Sequence, residues 1–343
     1  MSASEEKKEK KTILYESELR QDIVTGDWVV IATGRAKRPH EFAEFERVVS
    51  DETNDPFNNP EESGQEKDTL IYRREDGDWS LRVFPNKYPA FSRGRVAKEI
   101  SEGPYFAMTG VGYHELIVTR DPEKPLALLP AWQGAEVFDA YQERYLALMN
   151  KKSVNYIQIF HNHGKEAGAS ISHPHSQLIA LPVVSPYISL ELTGSEQYYR
   201  SNKHKVYGVI TEFESETKKR IVFENEHFIA FCPFASRVAF EIWVVGKRTN
   251  PYFERITDEE KFALAEVMQK ALYSIHLGLN DPPFNYYIHT APCDGKEYPH
   301  YQWHIEILPH TATWAGFELS TGIEISTIEP ERAAEYLREQ LEK

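Results

Sequence analysis

Hydrophobic positions in this chain fall into two kinds of segment. Residues 28–32, 81–84, 114–119, 154–160 and 178–181 are short runs rich in β-branched and aromatic side chains, the signature of strands. Over 131–149, Val137, Tyr141, Tyr145 and Leu148 recur near a 3.6-residue period, which predicts a helix. A second helix is predicted over 258–277, with Thr257 as N-cap, Glu260 completing a capping box and Gly278 just past the end. Residues 51–68 are polar and lack any hydrophobic period, so they read as a loop.

The order of these segments repeats. The helix 131–149 is followed by Asn155-Tyr156, Gly164-Lys165-Glu166 and His173-x-His175-x-Gln177. The helix 258–277 is followed by Asn285-Tyr286, Gly295-Lys296-Glu297 and Gln302-x-His304-x-Glu306. A strand before each helix repeats too, His114-Glu115-Leu116-Ile117-Val118 against Phe240-Glu241-Ile242-Trp243-Val244. This spacing implies a duplicated unit. The expected fold class is α+β, largely antiparallel sheet with packed helices. The expected divisions are a solvated tail over 1–12, a catalytic unit over 13–195 and a degenerate unit over 196–343.

Composition narrows the function. The formal net charge of −14 opposes nonspecific binding to nucleic acid. Within this acidic chain Arg35, Lys37 and Arg38 concentrate positive charge directly after a strand. No apolar run reaches the roughly 18 residues of a membrane span, and the mixed-charge start lacks a secretory core, so no membrane partner is expected. Cys232 and Cys293 form no CxxC motif or disulfide framework, which fits a cytoplasmic location.

The chemistry concentrates in Asn162-His-Gly-Lys-Glu-Ala-Gly-Ala-Ser-Ile-Ser-His-Pro-His-Ser-Gln177. A period of two places His173, His175 and Gln177 on one face of an extended segment. The small-residue loop before them lets backbone N–H groups approach an anion. An imidazole is largely neutral near its ordinary pKa of about 6.5 and can attack phosphorus. In the second copy the loop becomes Ala291-Pro292-Cys293-Asp294, where a proline lacks the N–H and an aspartate repels phosphate. Only the first copy is expected to be catalytic.

This motif resembles the galactose-1-phosphate uridylyltransferase family, a branch of the histidine-triad nucleotide transferases. Val83-Phe84-Pro85-Asn86-Lys87, Gly112-Tyr113-His114-Glu115, Trp303-His304-Ile305-Glu306 and Ala315-Gly316-Phe317-Glu318 extend the resemblance over roughly residues 19–340. It implies that His175 is the nucleophile, attacking the α-phosphorus through Nε2 while its other nitrogen donates to a backbone carbonyl. It further implies that Gln177 bonds a phosphoryl oxygen and that Asn162, Gly168 and Ser170 face the leaving phosphate. Arg35, Arg38, Asn86 and Lys87 would bind the nucleotide. Phe317 and Glu318 would bind the hexose, in the family from a partner subunit, which implies a homodimer.

Two metal sites follow from the same resemblance. The first, a zinc site, corresponds to Asp55, Asn58, His114 and His173, with both family thiolates missing. The second, for iron or zinc, corresponds to Glu191, His289, His304 and Glu306. No organic cofactor is implied. The expected reaction is ping-pong transfer of UMP from UDP-glucose to galactose-1-phosphate. Two alternatives stay open: an ADP-glucose phosphorylase, adenylyltransferase or dinucleoside polyphosphate phosphorylase of the same superfamily, and a non-catalytic nucleotide-binding protein. Ser176 does not separate the first from the main reading.

Overall fold

The structure is a computed structural model that describes residues 17–35, 55–94 and 96–343. The first part of the chain runs β1 (Glu18–Gln21), β2 (Trp28–Ile31), β3 (Leu70–Arg73), β4 (Trp79–Pro85), β5 (Glu99–Glu102), β6 (Tyr105–Met108) and β7 (Tyr113–Thr119). It continues through α1 (Ala131–Leu148), β8 (Tyr156–His163), β9 (His175–Leu181), α2 (Pro186–Asn202) and α3 (Val206–Thr217). The remainder is β10 (Ile221–Glu224), β11 (Phe228–Phe231), β12 (Ile242–Gly246), α4 (Asp258–Gly278), β13 (Phe284–His289), β14 (His304–Pro309), α5 (Gly316–Thr321), β15 (Glu324–Ser326) and α6 (Pro330–Leu341). The expected tail over 1–12 lies outside the described residues.

Ten strands form one antiparallel sheet in the order β10-β11-β12-β14-β13-β8-β9-β7-β4-β3. Each half has five strands, with its helix, α1 or α4, between the third and fourth in chain order. The halves join where β8 pairs with β13, Asn162 opposite Asn285 and Phe160 opposite Tyr287. The fold is therefore α+β, as the alternation and the repeat predict. A small second sheet, β1-β2-β15, closes on a parallel pairing of β15 with β2.

Burial sorts the two faces of the large sheet. On one face Phe138, Tyr141, Leu264, Met268 and Leu272 of α1 and α4 pack on Leu81, Ile117, Ile159, Ile288 and Ile305. On the other face, Tyr207, Phe231, Trp243, Val245 and Tyr301 form the core of the second half. Phe57, Trp79, Phe84, Leu116 and Val118 form that of the first.

Helix α4 starts with the expected capping box: Thr257 Oγ1 accepts from the Glu260 N–H (3.2 Å), and Glu260 Oε2 accepts from the Thr257 N–H (2.9 Å). It runs one residue further than the sequence suggests. Gly278 is its last residue, not its cap, and the glycine is explained by packing, since a Cβ there would lie 3.0 Å from both Gln340 and Tyr336 of α6. The left-handed backbone falls instead at Asn280 and Asp281. The expected division at 195 falls within α2.

Gly194 brings α2 close to the turn after β1. A Cβ there would sit 1.8 Å from the Val24 carbonyl oxygen, and backbone leaves no soft neighbour to give way. In an isolated helix Gly→Ala would stabilise by about 1 kcal/mol. Here Gly194→Ala is expected to reverse that sign and cost roughly 1–3 kcal/mol through overpacking. Urea unfolding monitored by circular dichroism measures it, and an unchanged or raised midpoint would show that α2 does not depend on this contact.

Candidate active site

The loop between β8 and β9 contains Gly164 at φ +82° and Gly168 at φ +89°, a region that side chains with a Cβ rarely enter. Folded this way, it borders a cavity of about 190 Å³ lined by Asn162, His163, Lys165, Ser170, Ser172 and Asp281 among others. Asn162, at the end of β8, points its amide nitrogen toward Gly168, where a Cβ would lie 3.5 Å away. Lys165 and Ser170 are exposed at the mouth.

His175 opens β9 directly after this loop and is 7% exposed. Its Nδ1 lies 2.9 Å from the His173 carbonyl oxygen. An oxygen acceptor there requires the proton on Nδ1 and leaves the Nε2 lone pair as the reactive position. Burial pushes the imidazole below its ordinary range, which favours the neutral nucleophilic form. The edge of Phe57 packs against the ring at a centroid distance of 5.2 Å. His161, on the opposite face, contacts Ser176 Oγ at 3.1 Å and stacks on Tyr286 at 4.9 Å.

Gln177 follows on the same face as His175. His114 Nδ1 accepts from the Ala90 N–H (3.2 Å), so His114 Nε2 carries the proton and donates to Gln177 Oε1 (2.8 Å). That bond commits the Gln177 carbonyl and leaves its NH₂ as the end able to donate to a phosphoryl oxygen. Burial holds His114 below its ordinary pKa, in keeping with a neutral ring.

The first expected metal set does not converge. His173 Nδ1 is 2.6 Å from Asp55 Oδ2 and its Nε2 is 2.6 Å from the Thr119 carbonyl, so both ring nitrogens are engaged by oxygen. His114 turns to Gln177 instead, and the Asn58 N–H bonds the Asp55 carbonyl (3.4 Å). These residues do not fit a shared zinc ion. Without the two thiolates, a fully buried Asp55–His173 side-chain pair fastens the segment at 55–58 beside His175.

The second set converges. Among the described residues, Glu191, His289, His304 and Glu306 form the one group of three or more His, Cys, Asp and Glu side chains whose ligand atoms all lie within 4.8 Å of one another. His289 Nδ1 is 3.0 Å from Glu191 Oε1, and His304 Nε2 is 3.4 Å from Glu306 Oε1. Two imidazoles and two carboxylates suit zinc or iron, so the donor set fits such an ion. A metal there would fasten α2 to β13 and β14. Arg237 bonds Glu306 and Glu241 from the outside, and Tyr301 donates to Glu191. The chain therefore supplies its own counter-charge to a buried carboxylate.

The other expected site residues are spread more widely. Asn86 caps a turn, accepting from the Tyr88 N–H (2.8 Å), with its amide 3.3 Å from His114 Nε2, while Lys87 is exposed. Arg35 ends a short 3₁₀ turn after β2, and Arg38 lies outside the described residues. Phe317 and Glu318 sit on α5, where Glu318 Oε2 accepts from the Ala315 N–H (3.0 Å) and Phe317 is 48% exposed. Sequence reasoning missed Arg237, whose signal was a charged pair, Arg237 and Glu241, flanking the apolar run Val238-Ala239-Phe240.

Comparison with known proteins accords with this geometry. Residues 6–185 match the family model of the galactose-1-phosphate uridyl transferase N-terminal domain, and residues 137–343 match a domain of unknown function (DUF4921). ADP-glucose phosphorylase of Arabidopsis thaliana is 34% identical, over 94% of this chain and 92% of that protein. Galactose-1-phosphate uridylyltransferase of Thermotoga maritima is 28% identical, over 94% and 98%. The crystal structure of the Arabidopsis ADP-glucose phosphorylase with bound ADP-glucose superposes with a TM-score of 0.80 at 32% identity, covering 94% of this chain and 99% of that one. A uridylyltransferase structure gives 0.73 at 25% identity, covering 95% and 99%. With the duplicated sheet and the His-Pro-His-Ser-Gln strand, these matches establish that the chain belongs to the galactose-1-phosphate uridylyltransferase family of nucleotidyl-transferring enzymes.

Proposed function

We propose that this protein transfers AMP from ADP-glucose to inorganic phosphate through a covalent intermediate on His175. The observation that carries the covalent step is His175 itself, with Nδ1 bonded to the His173 carbonyl and Nε2 left as the reactive nitrogen. Preference for the adenine nucleotide over the expected UDP-glucose is supported by the likeness to the Arabidopsis ADP-glucose phosphorylase, which exceeds that to the Thermotoga uridylyltransferase in sequence and to the uridylyltransferase structure above in shape.

In the first displacement the Nε2 lone pair attacks the α-phosphorus, and the bond to the bridging oxygen breaks. That oxygen takes the electron pair and leaves as part of glucose-1-phosphate. The ring now carries positive charge, which the Nδ1–H···O=C bond to His173 stabilises. The Gln177 NH₂, oriented by His114, donates to a phosphoryl oxygen, and Asn162 and Ser170 face the leaving phosphate. In the second displacement an oxygen of inorganic phosphate attacks, the P–N bond breaks, and ADP departs with His175 restored neutral. Arg35, Arg38, Asn86 and Lys87 remain the proposed nucleotide contacts. Phe317 and Glu318 remain the proposed hexose contacts, within a homodimer to which exposed Trp314, Phe317 and Leu319 would contribute. A cytoplasmic location belongs to the same proposal, and no helix among the described residues is long and apolar enough to cross a membrane.

Steady-state assays with ADP-glucose and UDP-glucose, each with inorganic phosphate and with galactose-1-phosphate, test the reading. Because a site built to bond one base leaves polar groups unpaired with another, ADP-glucose with phosphate should lead in kcat/KM by roughly tenfold or more. Faster turnover of UDP-glucose with galactose-1-phosphate would return the assignment to uridylyl transfer.

Metal content provides a second test. One convergent donor set predicts no more than one tightly held zinc or iron ion per chain. Elemental analysis of protein purified without added metal measures it, and two ions per chain would contradict the hydrogen-bonded reading of Asp55 and His173.

A further inference from the structure

Asn162 belongs to the first half of the sheet, yet its orientation is set from the second. Asn285 on β13 lies opposite it and donates from Nδ2 both to Asn162 Oδ1 (2.8 Å) and to the Ala167 carbonyl (2.8 Å). A backbone carbonyl can only accept, so the Ala167 contact fixes which end of the Asn285 amide is the donor. Asn285 Oδ1 then accepts from His310 Nε2 at 2.6 Å. Each bond dictates the next: the His310 N–H to the Asn285 carbonyl, and the Asn285 NH₂ to the Asn162 carbonyl. Asn162 is left with its NH₂ facing the glycine loop and the cavity.

We propose that His310 and Asn285 are positioning residues that hold the Asn162 NH₂ as a donor toward the leaving phosphate, so that the non-catalytic copy orients the catalytic one. This rests on the proposed role of Asn162 at that phosphate. A flipped Asn162 would present its carbonyl oxygen to an anion, turning an attraction into a repulsion. Burial keeps His310 below its ordinary pKa against the pull of Glu166, which agrees with a neutral ring donating through Nε2. His310 is itself anchored, its N–H bonding the Pro283 carbonyl at 2.8 Å.

Three variants test the relay. His310→Leu removes the first donor, His310→Gln restores an N–H near the Nε2 position, and Asn285→Asp keeps the shape but cannot donate. Single-turnover adduct formation from saturating ADP-glucose should slow roughly tenfold in His310→Leu and more in Asn285→Asp, less than the roughly hundredfold or more of deleting an oriented donor at developing charge because Asn162 itself stays in place. His310→Gln should stay within about twofold of the parent, as its amide N–H reproduces the donor. AMP affinity should not change in any variant, because AMP lacks the leaving phosphate, and the thermal midpoint of His310→Leu should match that of His310→Gln. Parent-like rates in both His310→Leu and Asn285→Asp would overturn the relay, as would equal slowing in His310→Leu and His310→Gln. If the parent forms no adduct at all, the proposed reaction fails instead. The relay is then decided by inorganic phosphate affinity, where weakening in His310→Leu but not His310→Gln supports it and equal affinities overturn it.

Discussion

The antiparallel pairing of β8 with β13 is the contact on which this architecture turns. It joins two five-strand halves into one sheet and puts Asn162 opposite Asn285 beside the glycine loop between β8 and β9. An open sheet edge at β8 would leave a row of backbone donors and acceptors exposed beside the candidate site. Pairing satisfies them internally and lends the first half a rigid neighbour. The same symmetry brings the loop of the second copy back to the first, where the Cys293 N–H bonds the Asn155 carbonyl at 2.9 Å.

Duplication also shows how one backbone arrangement can carry two outcomes. His175 Nδ1 lies 2.9 Å from the His173 carbonyl, and His304 Nδ1 lies 3.1 Å from that of Gln302. Both rings are thus held by the carbonyl two residues earlier. What differs is the surroundings of Nε2. For His304 it faces the carboxylates of Glu306 and Glu191, whose attraction outweighs burial and raises its pKa. His175 has no such carboxylate at Nε2 among the described residues, and burial lowers its pKa. Proton affinity is thus turned in opposite directions in the two copies, favouring a neutral ring at His175 and an ion-paired ring within a buried polar cluster at His304.

Much of this was legible in the sequence because it rested on period and spacing. The alternation of His173, His175 and Gln177, the capping box at Thr257 and Glu260, and the repeat about 130 residues apart all describe local geometry that tertiary contacts did not override. Helix α2 was not legible. Its buried positions are Ile188, Glu191 and Ser195, so the inward stripe carries a carboxylate and a hydroxyl where the hydrophobic period needs apolar groups. The first metal set failed for a related reason. Residue types implied a site, but the direction of each imidazole depends on partners such as Thr119 and Gln177 that only the folded sheet supplies. The relay through His310 was out of reach for the same cause, since 148 positions separate it from Asn162 and nothing in their local sequences ties one to the other.

The central claim is that His175 becomes covalently linked to a nucleoside monophosphate. Incubating the protein with radiolabelled ADP-glucose without acceptor, followed by proteolysis and peptide mapping under alkaline conditions, measures this directly. The account predicts an acid-labile, base-stable AMP adduct on the peptide containing His175, with none in His175→Ala. Absence of an adduct while glucose-1-phosphate is still released, or an adduct on another residue, would contradict it.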